Sequence, residues 1–205
     1  MVIDPRFIYL AAAVALYGVF DYVRSTLRGD TRPNRVSWGL WGLEGVLGFI
    51  DEVQQHVGPA AYMTLVFGVV PLIVVAASFW SRHGVWRIDG FDIVCGAVSL
   101  LGILFWGIVG QATIALIAFI SADQVAALPT IRKSWRAPES ESSKIFVTGV
   151  FNAAITLFTL RHFTTGGVIF PGAVLVCDTL VSVLVVGRLG PRWRRARARE
   201  PVPVL

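Results

Sequence analysis

Glu44, Asp123 and Asp178 each fall inside a long apolar run of the chain. A charge at the centre of a bilayer costs about 2.5–3.5 kcal/mol on insertion scales, so such a residue turns toward a cavity or a partner helix rather than lipid. Carboxyls so placed can hold a proton, a cation or the hydroxyls of a polar solute. Asn152 belongs with them, because its amide can donate to a carbonyl and accept from a hydroxyl. Trp41 precedes Glu44 by three residues, which puts both on one side of a helix and offers a flat ring for stacking. Trp41, Glu44, Asp123, Asn152 and Asp178 are therefore the candidate substrate-binding residues. The competing reading makes each acid a polar bond between neighbouring helices, with no ligand. No nucleophile stands beside a base. The histidines His56, His83 and His162 fall at predicted helix ends or in loops, and none has a His or Cys at metal-ligand spacing. Nothing in the sequence points to an enzyme, a metal or a cofactor. Cys95 and Cys177 lie in apolar runs and read as small core residues.

Membrane helices must position these residues. The chain has 205 residues, of which 55% are hydrophobic and 15% charged, with a mean hydropathy of +0.68. A soluble domain carries roughly 25% charged residues, so this chain cannot cover a water-facing surface. Seven apolar runs approach the span of about 20 residues that a bilayer requires. They cover residues 7–23, 37–50, 57–80, 91–109, 112–131, 145–160 and 167–186. Net charge is +5, and the basic residues sit in loops and tail, which points to a membrane surface rather than nucleic acid. Arg24, Arg28, Arg32 and Arg35 follow the first run, Arg82 and Arg87 the third, Arg132, Lys133, Arg136 and Lys144 the fifth. Six arginines from Arg188 to Arg199 follow the seventh, and the intervening loops hold only Arg161. Basic loops stay cytoplasmic. The alternation predicts seven spans with the N-terminus outside and the C-terminus in the cytoplasm.

Residues 22–46 have a second copy beginning at residue 130, an offset of 108 positions without a gap. Arg24 falls on Arg132, Arg28 on Arg136, Trp38 on Phe146 and Glu44 on Asn152. Three helices are an odd number, so a direct repeat would insert upside down unless one further helix intervened. The expected plan is two parallel three-helix bundles joined by linker helix four. Their bounds are residues 1–80 and 110–187, with the linker over 81–109 and a basic tail over 188–205. Parallel repeats about an axis along the membrane normal occur in transporters.

This three-plus-one-plus-three plan, with its outside N-terminus and repeated basic turn, resembles the SWEET and PQ-loop superfamily of small-solute transporters. The string from Thr31 to Trp41 and the string from Asp123 to Thr130 also look like those of a group of bacterial integral membrane proteins of that build. Where the family carries Pro-Gln, this chain has Pro129-Thr130 in its second copy and Asp21-Tyr22 in its first. The resemblance implies transport of a small solute by alternating access, with Asp178 where the family places a substrate-binding amide. An acid there favours a cationic solute. A vitamin-like solute is a further implication, since the nicotinamide riboside carriers share the build and use tryptophans. The alternative function is a non-transporting membrane module: an assembly factor, a sensor or a partner subunit.

Other residues carry supporting expectations. Trp38 reads as part of an interfacial aromatic belt. Gly39, Gly42, Gly45 and Gly48 recur every third residue and should let helices approach closely. Pro71 and Pro129 interrupt spans and are candidate hinges. Arg24, Arg28, Arg132 and Arg136 should form inner basic turns that touch anionic lipid headgroups, or else an inner gate paired with Asp21, Asp30 or Glu139. The tail reads as an anionic-lipid anchor that frays by Pro201. The expected partners are the bilayer and a small solute, with homo-oligomerisation left open. A bacterial inner membrane is the expected location.

Overall fold

A computed structural model of the chain describes residues 3–4, 6–54, 61–81, 86–160 and 165–198. Among them are eight α-helices, one 3-10 turn at Pro138–Ser140 and no strand. The helices are α1 (Phe7–Arg28), α2 (Arg35–Gln54), α3 (Ala61–Trp80), α4 (Gly90–Ile108), α5 (Ala112–Arg136), α6 (Ser143–Thr159), α7 (Thr165–Gly187) and α8 (Leu189–Arg197). Three are long and apolar enough to cross a membrane, over Gly90–Ile108, Ile114–Arg136 and Val168–Gly187. Shorter apolar helical stretches cover Phe67–Trp80 and Ser143–Thr159. Exposed Ile108, Val176, Leu104 and Phe20 on their outer faces suit lipid rather than water. The chain is an all-helical protein with the character of a membrane protein.

Local chemistry sets the helix ends. Gly29 closes α1 in the left-handed region, at φ 84°, where an absent Cβ removes the steric cost. Asn34 opens α2, its Oδ1 accepting from the backbone N–H groups of Val36 and Ser37. Asp89 and Asp92 form a reciprocal capping box at the start of α4. The basic residues extend the helices beyond their apolar runs. Arg24 and Arg28 lie on the last turns of α1, and Arg132 and Arg136 on those of α5, so they belong to helix ends rather than to the turns. Basic side chains there complement the exposed carbonyls of the last turn. A further helix, α8, was not foreseen in the tail. It follows Arg188, a non-glycine residue at φ 48°. Pro71 and Pro129 lie inside the continuous helices α3 and α5, and Pro171 inside α7.

The helices interleave in a repeated order. α3 packs on α1 and α2, and α7 packs on α5 and α6. Across the bundle α1 lies against α6 and α2 against α5, while α4 covers α5 and touches α2. α2 and α3 approach each other closely: a Cβ on Gly45 would collide with the backbone of Gly68, and one on Gly42 with the Leu72 side chain. Gly39 has nothing near it, so only part of the glycine stripe does the packing expected of it.

One end of the bundle collects the basic segments. Arg35 on α2 donates to Ser78 Oγ (2.8 Å) and to Ser78 O (2.9 Å) at the end of α3. Arg132 pairs with Asp89 at 2.6 Å. Arg194 on α8 donates to the carbonyl of Arg136, and the rings of Trp135 and Trp193 stand 6.1 Å apart. At the opposite end the N–H of Ile3 donates to Phe158 O.

Candidate functional site

The five candidate residues lie on four helices. α2 supplies Trp41 and Glu44, α5 supplies Asp123, α6 supplies Asn152 and α7 supplies Asp178. Glu44 is buried, and the other four are half-buried. The carboxyls of Glu44 and Asp123 meet across the α2–α5 contact within hydrogen-bonding reach. Asp178 stands near enough to Asp123 for their charges to interact. Three of the five candidates are thus brought together, from three different helices.

Neighbouring groups hold these acids in place. Ser99 on α4 reaches Glu44 Oε1 at 3.5 Å while donating to Ala122 O at 2.8 Å. Gln124 Nε2 donates to Asp123 Oδ2 at 2.8 Å. Gly149 faces Asp178, whose Oδ2 occupies the space a Cβ would need. Asn152 follows Gly149 by one turn on α6, and its carbonyl accepts from the Thr156 hydroxyl. Among the described residues no Lys or Arg pairs with Glu44, Asp123 or Asp178. Two ionised carboxylates in contact have no donor between them and repel. A proton or a cation is what such a pair can share.

Trp41 bridges the two apolar clusters of the core and meets Trp38 edge-on at 5.3 Å. Trp38 departs from the belt expected of it. It is 4% exposed, wedged between Tyr22 at 4.7 Å and Phe146 at 6.3 Å. The physical reason is that α2 begins at Arg35, so Trp38 already lies a turn inside the helix, on the side facing α1 and α6. Phe146 lies 108 positions after Trp38, and the two rings pack on each other. An apolar groove of about 410 Å³ lies between α4 and α5, lined by Val98, Phe105, Ile117 and Ala122 among others. It contains none of the five candidates.

The sequence reading missed a second polar centre at the basic end. Lys133 and Glu141 form an ion pair at 2.5 Å with both side chains fully buried. Lys133 Nζ also donates to Arg32 O at 2.6 Å and lies 3.4 Å from Ser140 O. The Tyr22 hydroxyl donates to Glu141 Oε1 at 2.6 Å, and the N–H of Ser142 reaches the same oxygen. A Lys one position from Arg132 in a basic stretch reads as surface charge. Its only sequence signal was spacing: Lys133 shares a helical face with Pro129 and Thr130, which are buried. The expected pairings of the basic turns also change. Asp21 pairs with Lys144 at 2.6 Å, not with an arginine, and Arg132 takes Asp89. Cys95 and Cys177 are buried, free thiols. His56, His83 and His162 lie outside the described residues.

No protein-family model matches the chain, and no solved structure matches it.

Proposed function

We propose that the chain is a small-solute transporter or facilitator of SWEET-like plan, seated in a bacterial inner membrane. The convergence of Glu44, Asp123 and Asp178 from three helices, with no basic partner among the described residues, carries this reading. A solute bearing a positive charge or several donors would sit between the two three-helix bundles and complete that site. Asn152 would orient it, Trp41 would stack against it, and the bundles would rock to open each side in turn. Pro71 and Pro129 are the hinge positions, because each removes a backbone hydrogen bond within its helix.

Several observations support the seven-span plan within this proposal. The 108-position offset carries the last residue of α1 (Arg28) onto the last of α5 (Arg136), and the first of α2 (Arg35) onto the first of α6 (Ser143). The neighbour relations of α1, α2 and α3 recur in α5, α6 and α7. Trp38 and Phe146, equivalent under the offset, meet at the centre, as residues beside a twofold axis do. The gathering of basic segments at one end, with Ile3 at the other, agrees with a cytoplasmic C-terminus and an outside N-terminus. The arginines of α8 and of the helix ends would then contact anionic lipid headgroups.

Ligand-dependent thermal shift on the detergent-purified protein tests the proposal, with a panel of amines, sugars, vitamins and nucleosides. A hundredfold excess over Kd stabilises the folded state by about 2.7 kcal/mol. The expected outcome is a shift by an amine-bearing class that disappears in Glu44→Gln and Asp178→Asn, together with uptake into proteoliposomes. Shifts unaltered in both variants would overturn the site. No shift and no uptake across the panel would favour the alternative, a membrane module whose acids bond only to one another.

A further inference from the structure

The buried centre at the basic end joins the two halves of the molecule. Tyr22 on α1 and the Arg32 carbonyl belong to the first half. Lys133 on α5, the Ser140 carbonyl and Glu141 belong to the second. The backbone N–H of Arg32 also donates to Ser140 O at 2.9 Å. Lys133 and Glu141 are both at 0% side-chain exposure, so the seam between the halves is sealed from water here. The more exposed pair of Lys144 and Asp21 crosses the same seam from α6 to α1.

Such a centre is an unusual way to stabilise a fold. A buried ion pair gives up the hydration of two charges, and well-packed apolar residues of equal volume commonly replace it at no cost in stability. The repeat does not require it either, since Ser25 and Pro33 stand at the positions equivalent to Lys133 and Glu141. What distinguishes an ion pair from an apolar seal is the open state. Parted apolar surfaces meet water unfavourably, whereas parted charges recover their hydration. An ionic seam therefore opens at lower cost than an apolar seam of the same area.

From this we propose that Lys133, Glu141 and Tyr22 form a latch that closes the basic end of the bundle and opens by hydration of its charges. The inference rests on the transport reading above, because a static module has no need of an opening seam. In the arrangement described here the latch is shut.

The test uses the full chain in lipid nanodiscs, with spin labels at Arg28→Cys and Glu139→Cys, exposed sites on opposite sides of the seam. Buried Cys95 and Cys177 stay in place. Distances between labels are measured by pulsed electron resonance in three backgrounds: wild type, Glu141→Gln, and the apolar pair Lys133→Met/Glu141→Leu. Glu141→Gln should raise the longer-distance population by about an order of magnitude. The apolar pair should fold, with a melting temperature lowered somewhat by the Tyr22 hydroxyl left without its acceptor, and show the short distance alone. Identical distributions in all three backgrounds would overturn the latch. If Glu141→Gln does not fold, the apolar pair decides: loss of a longer-distance population present in wild type supports the latch, and an unchanged distribution overturns it. Thermal shift with the amine panel is read separately on the same protein. Amine binding with an immobile seam removes the latch and leaves the solute site, while a moving seam with no binding does the reverse.

Discussion

At the scale of single residues, Lys133 matters because of what its removal leaves behind. Lys133→Met strands Glu141 without its counter-charge in a sealed site, an expected loss of about 3–5 kcal/mol. The double variant Lys133→Met/Glu141→Leu should recover most of that loss. Denaturation of both proteins in the same detergent checks the pair; equal destabilisation of single and double variants would count against a desolvated ion pair. Gly149 makes a second case. A methyl there would occupy the space of Asp178 Oδ2, so Gly149→Ala should displace that carboxyl and abolish any solute-induced thermal shift. Asp89 supplies a pH dependence outside the spans. Hydrogen bonding from the Arg132 guanidinium, at 2.8 and 2.6 Å to its two oxygens, holds the Asp89 carboxyl below its ordinary range. A lowered folded value stabilises the protein above the ordinary carboxyl pKa of about 3.9, and that stabilisation is lost as pH falls through the lowered value. The melting temperature of Asp89→Asn should thus lie below wild type at pH 6 and converge with it in acid.

Among the elements, the α2–α3 contact is the most sharply testable. Its glycines differ in what an added methyl would meet, although the sequence spaces them evenly. Gly45→Ala presses on the Gly68 backbone, which cannot move aside, and should be the most damaging substitution. Gly42→Ala presses on the flexible end of Leu72 and should cost less. Gly39→Ala meets nothing and should stabilise the helix by up to about 1 kcal/mol. Melting temperatures ordered Gly39→Ala, then Gly42→Ala, then Gly45→Ala from highest to lowest are expected, and any other order contradicts this packing. α8 offers a further case, since Arg188 sits at φ 48°, a conformation that costs an L-residue about 1–2 kcal/mol. Arg188→Gly should raise the melting temperature of the detergent-purified protein.

For the whole molecule, the gathering of basic segments sets the orientation test. Cysteines at Arg28, Arg136 and Arg194 should resist a membrane-impermeant thiol reagent in intact cells, and one at Val53, exposed near the far end of α2, should react. Labelling of all four, or of none, would contradict the seven-span reading. At the basic end the Lys133–Glu141 pair, the Arg32–Ser140 backbone bond and the Lys144–Asp21 pair join the earlier and later parts of the chain; in the proposed transporter all three would part for release on that side.

Apolar run lengths, read alone, were enough to make this an all-helical chain of membrane character and to locate seven of the eight helices found among the described residues within a few residues. That signal is local: a run of side chains chooses between lipid and water wherever the chain goes. Tertiary structure alone could decide the rest. Trp38 reads as an interfacial belt residue until α1 and α6 close over it. Lys133 reads as one more basic residue until the two turns fold together and bury it against Glu141, only eight residues away in sequence yet joined through a partner, Tyr22, 119 positions distant. Nor does any spacing along the chain bring Glu44 to Asp123. Burial and pairing of charge depend on which helices meet, and the meeting of α2 with α5 and of α1 with α6 is settled by side-chain packing across the bundle, which no single stretch of sequence contains.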